Sequence, residues 1–215
     1  MGKIQTAILF FFLAAGCQKM DSSNYKPPPL SDSIISPAAF PDKVGDKWHY
    51  LVKDTALNVV PDSLATQYIV DVSIVGKRRL PDNRMVTIWQ SGYPDHTDSN
   101  YVYASGDSIT ILRHDLTYMG TFILPSPPGS TWSYLPVDTF EYKQEIKEGT
   151  ITIGDSVYRR AWEIHHWNYL PDASYELDEW YKDSVGLIKK YFNNAFAFIN
   201  NKHIQDWSLI SYELK

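Results

Sequence analysis

The sequence predicts an all-β protein: an antiparallel meander in which two tandem repeat units form one curled sheet or sandwich. Three observations predict it. Runs rich in Val, Ile, Thr, Tyr and Trp alternate with polar residues and stop at Gly, Pro, Asn or Asp. No stretch beyond residue 40 carries an amphipathic helical pattern of ten residues or more. Three short motifs occur twice in the same order.

The strand runs begin at Trp48–Val52 and continue with Gln67–Val75, Arg84–Trp89, Tyr101–Tyr103 and Ser108–Arg113. A second series holds Trp132–Tyr134, Phe140–Ile146, Val157–Tyr169, Tyr175–Tyr181, Val185–Phe192, Ala195–Ile199 and Trp207–Leu214. Asn193-Asn194 and Asn200-Asn201 are expected to be hairpin turns, because Asn tolerates positive φ. Lys77-Arg78-Arg79 is expected to be a solvated turn. Short connections favour antiparallel pairing, since parallel strands need long crossovers.

The first repeated motif is Gly-x-x-Trp-x-Tyr, at Gly45, Trp48 and Tyr50 and again at Gly129, Trp132 and Tyr134. The second places Asp82, Met85 and Trp89 in the spacing of Asp155, Tyr158 and Trp162. The third is Asp-Ser before an apolar strand, at Asp107-Ser108 and Asp183-Ser184. Units of about 41–124 and 125–215 follow. Each would be a meander of four or five strands with one apolar face left uncovered. The two therefore belong to a single domain, 41–215. Trp48, Trp89, Trp132 and Trp162 recur between units, which suits a core role.

The N-terminus carries a different signal. Lys3 precedes an apolar run, Ile4 to Ala15, that ends in Ala14-Ala15-Gly16-Cys17. This is the secretory pattern, and the run is shorter than the roughly 20 residues needed to span a bilayer. Gly2 to Thr6 also satisfies the N-myristoylation pattern, but that reading leaves the apolar run unexplained. Ala-Ala-Gly-Cys resembles the lipobox of bacterial lipoproteins, with Ala14 where the usual lipobox has Leu. The resemblance implies a signal peptide over 1–16 and diacylglycerol on Cys17. Cys17 is the single cysteine of the chain, so lipidation gives it a role and disulfides play no part in stability. Residues 17–40, with Pro27-Pro28-Pro29 and several Ser and Asp, read as a tether extended at about 3.1 Å per proline-rich residue.

Pro41, Gly45, Trp48 and Tyr50 just after such a tether resemble uncharacterised lipoproteins of the Bacteroidota. So do Trp180-Tyr181 with Val185-Gly186-Leu187-Ile188-Lys189, and the closing Trp207-x-Leu209-x-x-Tyr212. The resemblance implies an outer-membrane location, facing the periplasm or the exterior. Gln18 after the cysteine fits outer-membrane sorting.

The net charge of −5 argues against nucleic acid as a partner, which needs clustered Lys and Arg. Gly106-Asp107-Ser108 and Gly154-Asp155-Ser156 invite comparison with GDSL-type esterases. That nucleophile sits on a strand-to-helix turn with a downstream Asp-x-x-His, which this chain lacks; a hairpin turn explains both copies. Glu163 and His165 share one strand face and could join a third ligand such as His114 or His203 in a zinc site. No His-Glu-x-x-His occurs, so the expectation is no metal, no cofactor and no catalytic residue. Tyr93, Tyr101, Tyr103, Trp167 and Tyr169 lie in or near expected loops or strand ends and are the candidate ligand-contact aromatics. The function expected is a noncatalytic ligand-binding or accessory lipoprotein, its ligand a glycan, a lipid or a protein. The alternative is a hydrolase built around Glu163 and His165.

Replacing Cys17 by Ala removes the site of lipid attachment. The variant is expected to remain soluble or to accumulate as full-length precursor. Fractionation with intact-mass analysis checks this, and membrane partition at the mature mass would show the anchor to lie elsewhere.

Overall fold

The computed structural model of this 215-residue chain describes residues 40–57, 64–105, 108–123, 127–137, 140–170, 173–196 and 201–215. The expected signal peptide, Cys17 and the expected tether up to residue 39 lie outside the described residues, as does Asn200. Phe40, expected as the tether's last residue, is instead buried against the sheet.

Twelve strands form one antiparallel sheet. They are β1 (Lys47–Leu57), β2 (Leu64–Arg79), β3 (Met85–Gly92), β4 (Thr97–Ser105), β5 (Ser108–Arg113) and β6 (Tyr118–Ile123), then β7 (Thr131–Val137), β8 (Phe140–Ile153), β9 (Ser156–Leu170), β10 (Ala173–Lys182), β11 (Gly186–Phe196) and β12 (Asn201–Glu213). Their order is β6-β5-β4-β3-β2-β1-β12-β11-β10-β9-β8-β7. Two six-strand meanders thus meet along the ladder between β1 and β12. The sequence pattern gives the first unit five strands rather than six because Tyr118–Ile123, with Gly120 inside it, lacks a strand signature.

The sheet curls. Val102, Ile109 and Phe122 of β4–β6 share a core with Ile146, Trp162, Ile164 and Tyr181 of β8–β10, although these strands stand far apart in the sheet order. Phe40 plugs one end of the curl, its ring centroid 5.0 Å from Phe122 and 4.7 Å from Tyr181. A second cluster lines the central strands through Trp48, Tyr50, Val52, Val70, Val72, Ile74, Ile188, Trp207 and Leu209. Bulges help the sheet to bend, because an extra residue raises the local twist. Register shifts fall at His49/Tyr50 against β12, at Ile74/Gly76 against β3, at Trp180/Tyr181 against β11 and at Gly149/Ile151 against β9.

The three repeated motifs precede β1 and β7, β3 and β9, and β5 and β11, always six strands apart. Backbone bonding repeats too. Gly45 N–H donates to Ile74 O at 2.8 Å, and Ile74 N–H donates to Asp46 O at 3.0 Å. Gly129 N–H donates to Ile146 O at 2.6 Å, and Ile146 N–H donates to Ser130 O at 3.1 Å. Both glycines have positive φ, 99° and 80°, which explains why glycine stands at each position.

Two turn expectations are corrected. Asn193 and Asn194 lie inside β11, paired with Glu176 and Tyr175, and the strand continues through Ala195 to Phe196. Cross-strand pairing satisfies the backbone there, so the turn tendency of Asn is overridden. Lys77-Arg78-Arg79 closes β2 opposite Thr87, Val86 and Met85 rather than forming a turn. Gly154-Asp155 is the expected β8–β9 turn.

Trp48 is 1% exposed, stacks on Trp89 at 5.3 Å and donates from Nε1 to Val185 O at 2.6 Å. Trp162 is also buried. The side chain of Trp132 lies outside the described residues. Trp48→Ala is expected to cost roughly 3–5 kcal/mol through lost burial and a residual cavity. Against a typical total of about 5–15 kcal/mol, the denaturant midpoint should fall sharply with little change in slope, as measured by urea unfolding.

Candidate functional site

Alternation along β1 sends Trp48, Tyr50, Val52 and Asp54 to the inner face of the curl. Trp48 is packed near the Phe40 plug. Asp54 sits six residues on, roughly 20 Å along the strand. Around Asp54 the inner face changes from aliphatic to polar and aromatic.

The Asp54 carboxylate accepts from Tyr68 Oη at 3.2 Å and from Gln205 Nε2 at 2.7 Å, and His203 Nε2 lies 2.7 Å from its other oxygen. These partners come from β2 and β12, the two strands that flank β1. Aromatic rings extend the patch in both directions. Tyr93 lies 6.5 Å from Tyr68 and 6.1 Å from Trp207, and it stacks on His96 at 4.5 Å. On the other side Phe192 meets His203 edge-on at 5.8 Å and Tyr175 at 5.7 Å. Tyr68, Tyr93, Tyr175 and Phe192 are all of intermediate exposure, so apolar ring faces and satisfied polar groups share one open surface.

Beside this surface lies a partly buried polar chain. Lys190 places its ammonium 3.7 Å from the Trp207 ring centroid and pairs across strands with Glu179. Glu179 lies 3.2 Å from His166 Nε2 and accepts from Tyr181. Burial lowers the proton affinity of Lys190, against the opposing pull of Glu179. Burial and then the charge of Glu179 push the phenols of Tyr50 and Tyr181 far up, so both stay neutral.

A second cluster occupies the opposite face of β9. Arg160 has φ 52° at the bulge in this strand, and beyond it alternation resumes. Trp162, Ile164, His166 and Asn168 are buried inward, while Glu163, His165 and Trp167 face outward and are of intermediate exposure. Register sets Asp178 of β10 directly opposite His165. His165 Nδ1 and Asp178 Oδ1 are hydrogen-bonded. Glu163, His165 and Asp178 bring one ligand atom each within 4.8 Å of one another, and they form the sole such trio among the described residues. Burial, then the neighbouring Asp178 carboxylate, raises the Glu163 pKa. The third ligand named from sequence is not His114, which is exposed in the β5–β6 turn, nor His203, which is held by Asp54. It is Asp178.

The five aromatics chosen from sequence do not converge. Tyr93 belongs to the inner patch. Tyr101 is buried on the outer face and accepts from Arg78 Nη1 at 3.1 Å. Tyr103 lies beside it under Arg84, whose guanidinium is 5.4 Å from the ring centroid. Trp167 stacks on His165 at 4.9 Å. The Tyr169 side chain lies outside the described residues. Asp54, Tyr68, Glu179, Lys190 and His203 escape a motif search because they come from five different strands, and no local spacing links them.

No family model matches the chain, and no curated protein is significantly similar to it in sequence. Among solved structures it is similar to a candidate exported protein with a YmcC-like fold from Bacteroides fragilis, at TM-score 0.43 and 8% identity. It is also similar to a candidate lipoprotein from Parabacteroides distasonis, at TM-score 0.46 and 12% identity. Each likeness covers 81% of this chain and 98% of the other. At this level neither carries an inference about activity.

Burial first, then the charge of Asp54, pushes the Tyr68 phenol up to about 12. Burial and then Asp98 do the same for Tyr93, also to about 12. Unfolded tyrosine ionises near pH 10. A raised folded value means stability that is complete below about pH 10 and lost as pH rises toward 12. Absorbance titration of tyrosinate should show these late-ionising phenols in the folded protein. Tyr93→Phe should remove one of them, and unfolding midpoints should fall across the same interval.

Proposed function

We propose that this protein is a lipoprotein of the bacterial outer membrane, anchored through Cys17, whose curled sheet is a noncatalytic binding module for a glycan fragment. The observation that carries the reading is the inner patch around Asp54. Half-exposed rings of Tyr68, Tyr93, Tyr175 and Phe192 alternate with Asp54, His203 and Gln205, which are already ordered by hydrogen bonds. A sugar ring has the matching chemistry, with apolar C–H faces for the rings and hydroxyls for the planar polar groups. Binding sites of this kind combine apolar walls with a few fixed polar groups. Pre-ordering lowers the entropy lost when a ligand docks. The tandem arrangement is part of the reading: two duplicated six-strand units make a sheet wide enough to curl around a ligand.

The hydrolase alternative placed its chemistry at Glu163 and His165. Those residues lie on the outward face of β9, across the sheet from the patch, so they do not act on a ligand held there.

Calorimetry against a panel of envelope and dietary oligosaccharides tests the proposal. Tyr93→Ala and Asp54→Asn are expected to weaken binding at least tenfold while the circular dichroism spectrum stays unchanged. Binding that survives both substitutions, or a panel with no binder where acyl lipids or a protein bind instead, would refute the glycan assignment.

A further inference from the structure

We propose that Glu163, His165 and Asp178 form a site for one divalent transition-metal ion of the zinc class on the outward face of β9 and β10. The geometry is that of a sheet-built metal site. Glu163 and His165 are two residues apart on one strand and share a face, and Asp178 is the direct cross-strand partner of His165. Their ligand atoms lie within 4.8 Å of one another, so small rotamer changes bring all three to the roughly 2.0–2.2 Å that zinc requires from nitrogen and oxygen. One imidazole with two carboxylates suits a borderline first-row ion.

Charge points the same way. The groups facing the trio from β8 are Glu145, opposite His165, and Lys147, opposite Glu163. Lys147 lies 3.3 Å from Glu145, so that pair is internally compensated. Tyr191 of β11 faces Asp178 and brings no cation. Lys189, also on β11, is 3.4 Å from Asp206 of β12 and is likewise engaged. Two carboxylates, Glu163 and Asp178, flank the His165 imidazole, and an ion of charge +2 bound by all three would balance them.

The surroundings hold the trio in place. Trp167 stacks on the His165 ring, and Trp180, opposite Glu163, packs against the backbone at Gly149. The side chains of His165 and Asp178 are 17% and 21% exposed. The site is therefore sheltered yet reachable, with room for water to complete the coordination. Other His–Asp pairs occur, at His49 with Asp71, at His203 with Asp54 and at His96 with Asp95. Among the described residues only the pair at His165 gains a third ligand within reach.

The test uses the full chain purified in detergent, stripped with chelator and titrated with zinc by calorimetry. One ion per chain is expected. Glu163→Gln, His165→Gln and Asp178→Asn should each weaken binding at least tenfold, with folding checked by circular dichroism. His96→Gln, His49→Gln and Cys17→Ala should leave it unchanged. Cobalt supplies a second readout: wild type should give d–d absorption in the visible that Glu163→Gln, a near-isosteric change, diminishes. A folded chain that takes up no zinc overturns the proposal. So does zinc that survives all three site substitutions, or that is lost with His96, His49 or Cys17 instead. The oligosaccharide titration is independent of these outcomes, so failure of either reading leaves the other standing.

Discussion

The ladder between β1 and β12 joins the two ends of the folded chain, with Lys47 opposite Glu213 and Leu57 opposite Lys202. Each meander alone pairs only neighbours in sequence and leaves an apolar face uncovered. Once the first and last strands pair, the two faces become one, and the sheet is wide enough to fold over itself. The chain ends reinforce the seam: Lys215 N–H donates to Asp46 Oδ1 at 2.8 Å, and Lys43 Nζ donates to Lys215 O at 2.8 Å. Closing a contact of such sequence separation is entropically costly and slow, so the remaining packing must form in concert with it.

Curling then decides what each face can do. On the inner side the end near Phe40 is filled with aliphatic and aromatic groups, and Trp48 and Tyr50 donate to the backbone at Val185 and Leu187. Toward the other end the same strands present Asp54, His203 and Gln205 among half-exposed rings. Lys190, half-buried between them, rests its ammonium on the Trp207 ring opposite Glu179 on the neighbouring strand. On the outer side Arg78 and Arg84 cover Tyr101 and Tyr103. Rings that look alike in sequence therefore have different roles: Tyr93, just beyond β3, packs with Tyr68 and Trp207 on the inner side, while Tyr101 of β4 lies under Arg78 on the outer side.

The Glu163 cluster shows how much a candidate site depends on register. Glu163 and His165 are readable as a pair because alternate residues on a strand share a face. Asp178 is readable only by counting back from the β9–β10 hairpin, where Leu170 pairs with Ala173. That count requires the loop to be exactly two residues long, and a slip of one residue would turn Asp178 to the other face. The inner patch was less legible still. Asp54 and Gln205 meet only because β1 lies beside β12, and nothing local to either segment encodes that pairing.

The sequence by itself determined the fold class, the antiparallel pairing, most strand positions and the matched turn motifs before alternate strands. These follow from alternation of apolar residues and from the backbone freedom of Gly45 and Gly129, both of which act over a few residues. The expectation of a secretory leader ending at Cys17 is likewise read from a linear segment. Tertiary structure decided that β11 runs through Asn193-Asn194, that the aromatics divide between two faces, and that Asp178 stands beside His165. The reason is common to all three. Cross-strand neighbours are set by register and sheet order, and those depend on burying a shared core along the whole chain.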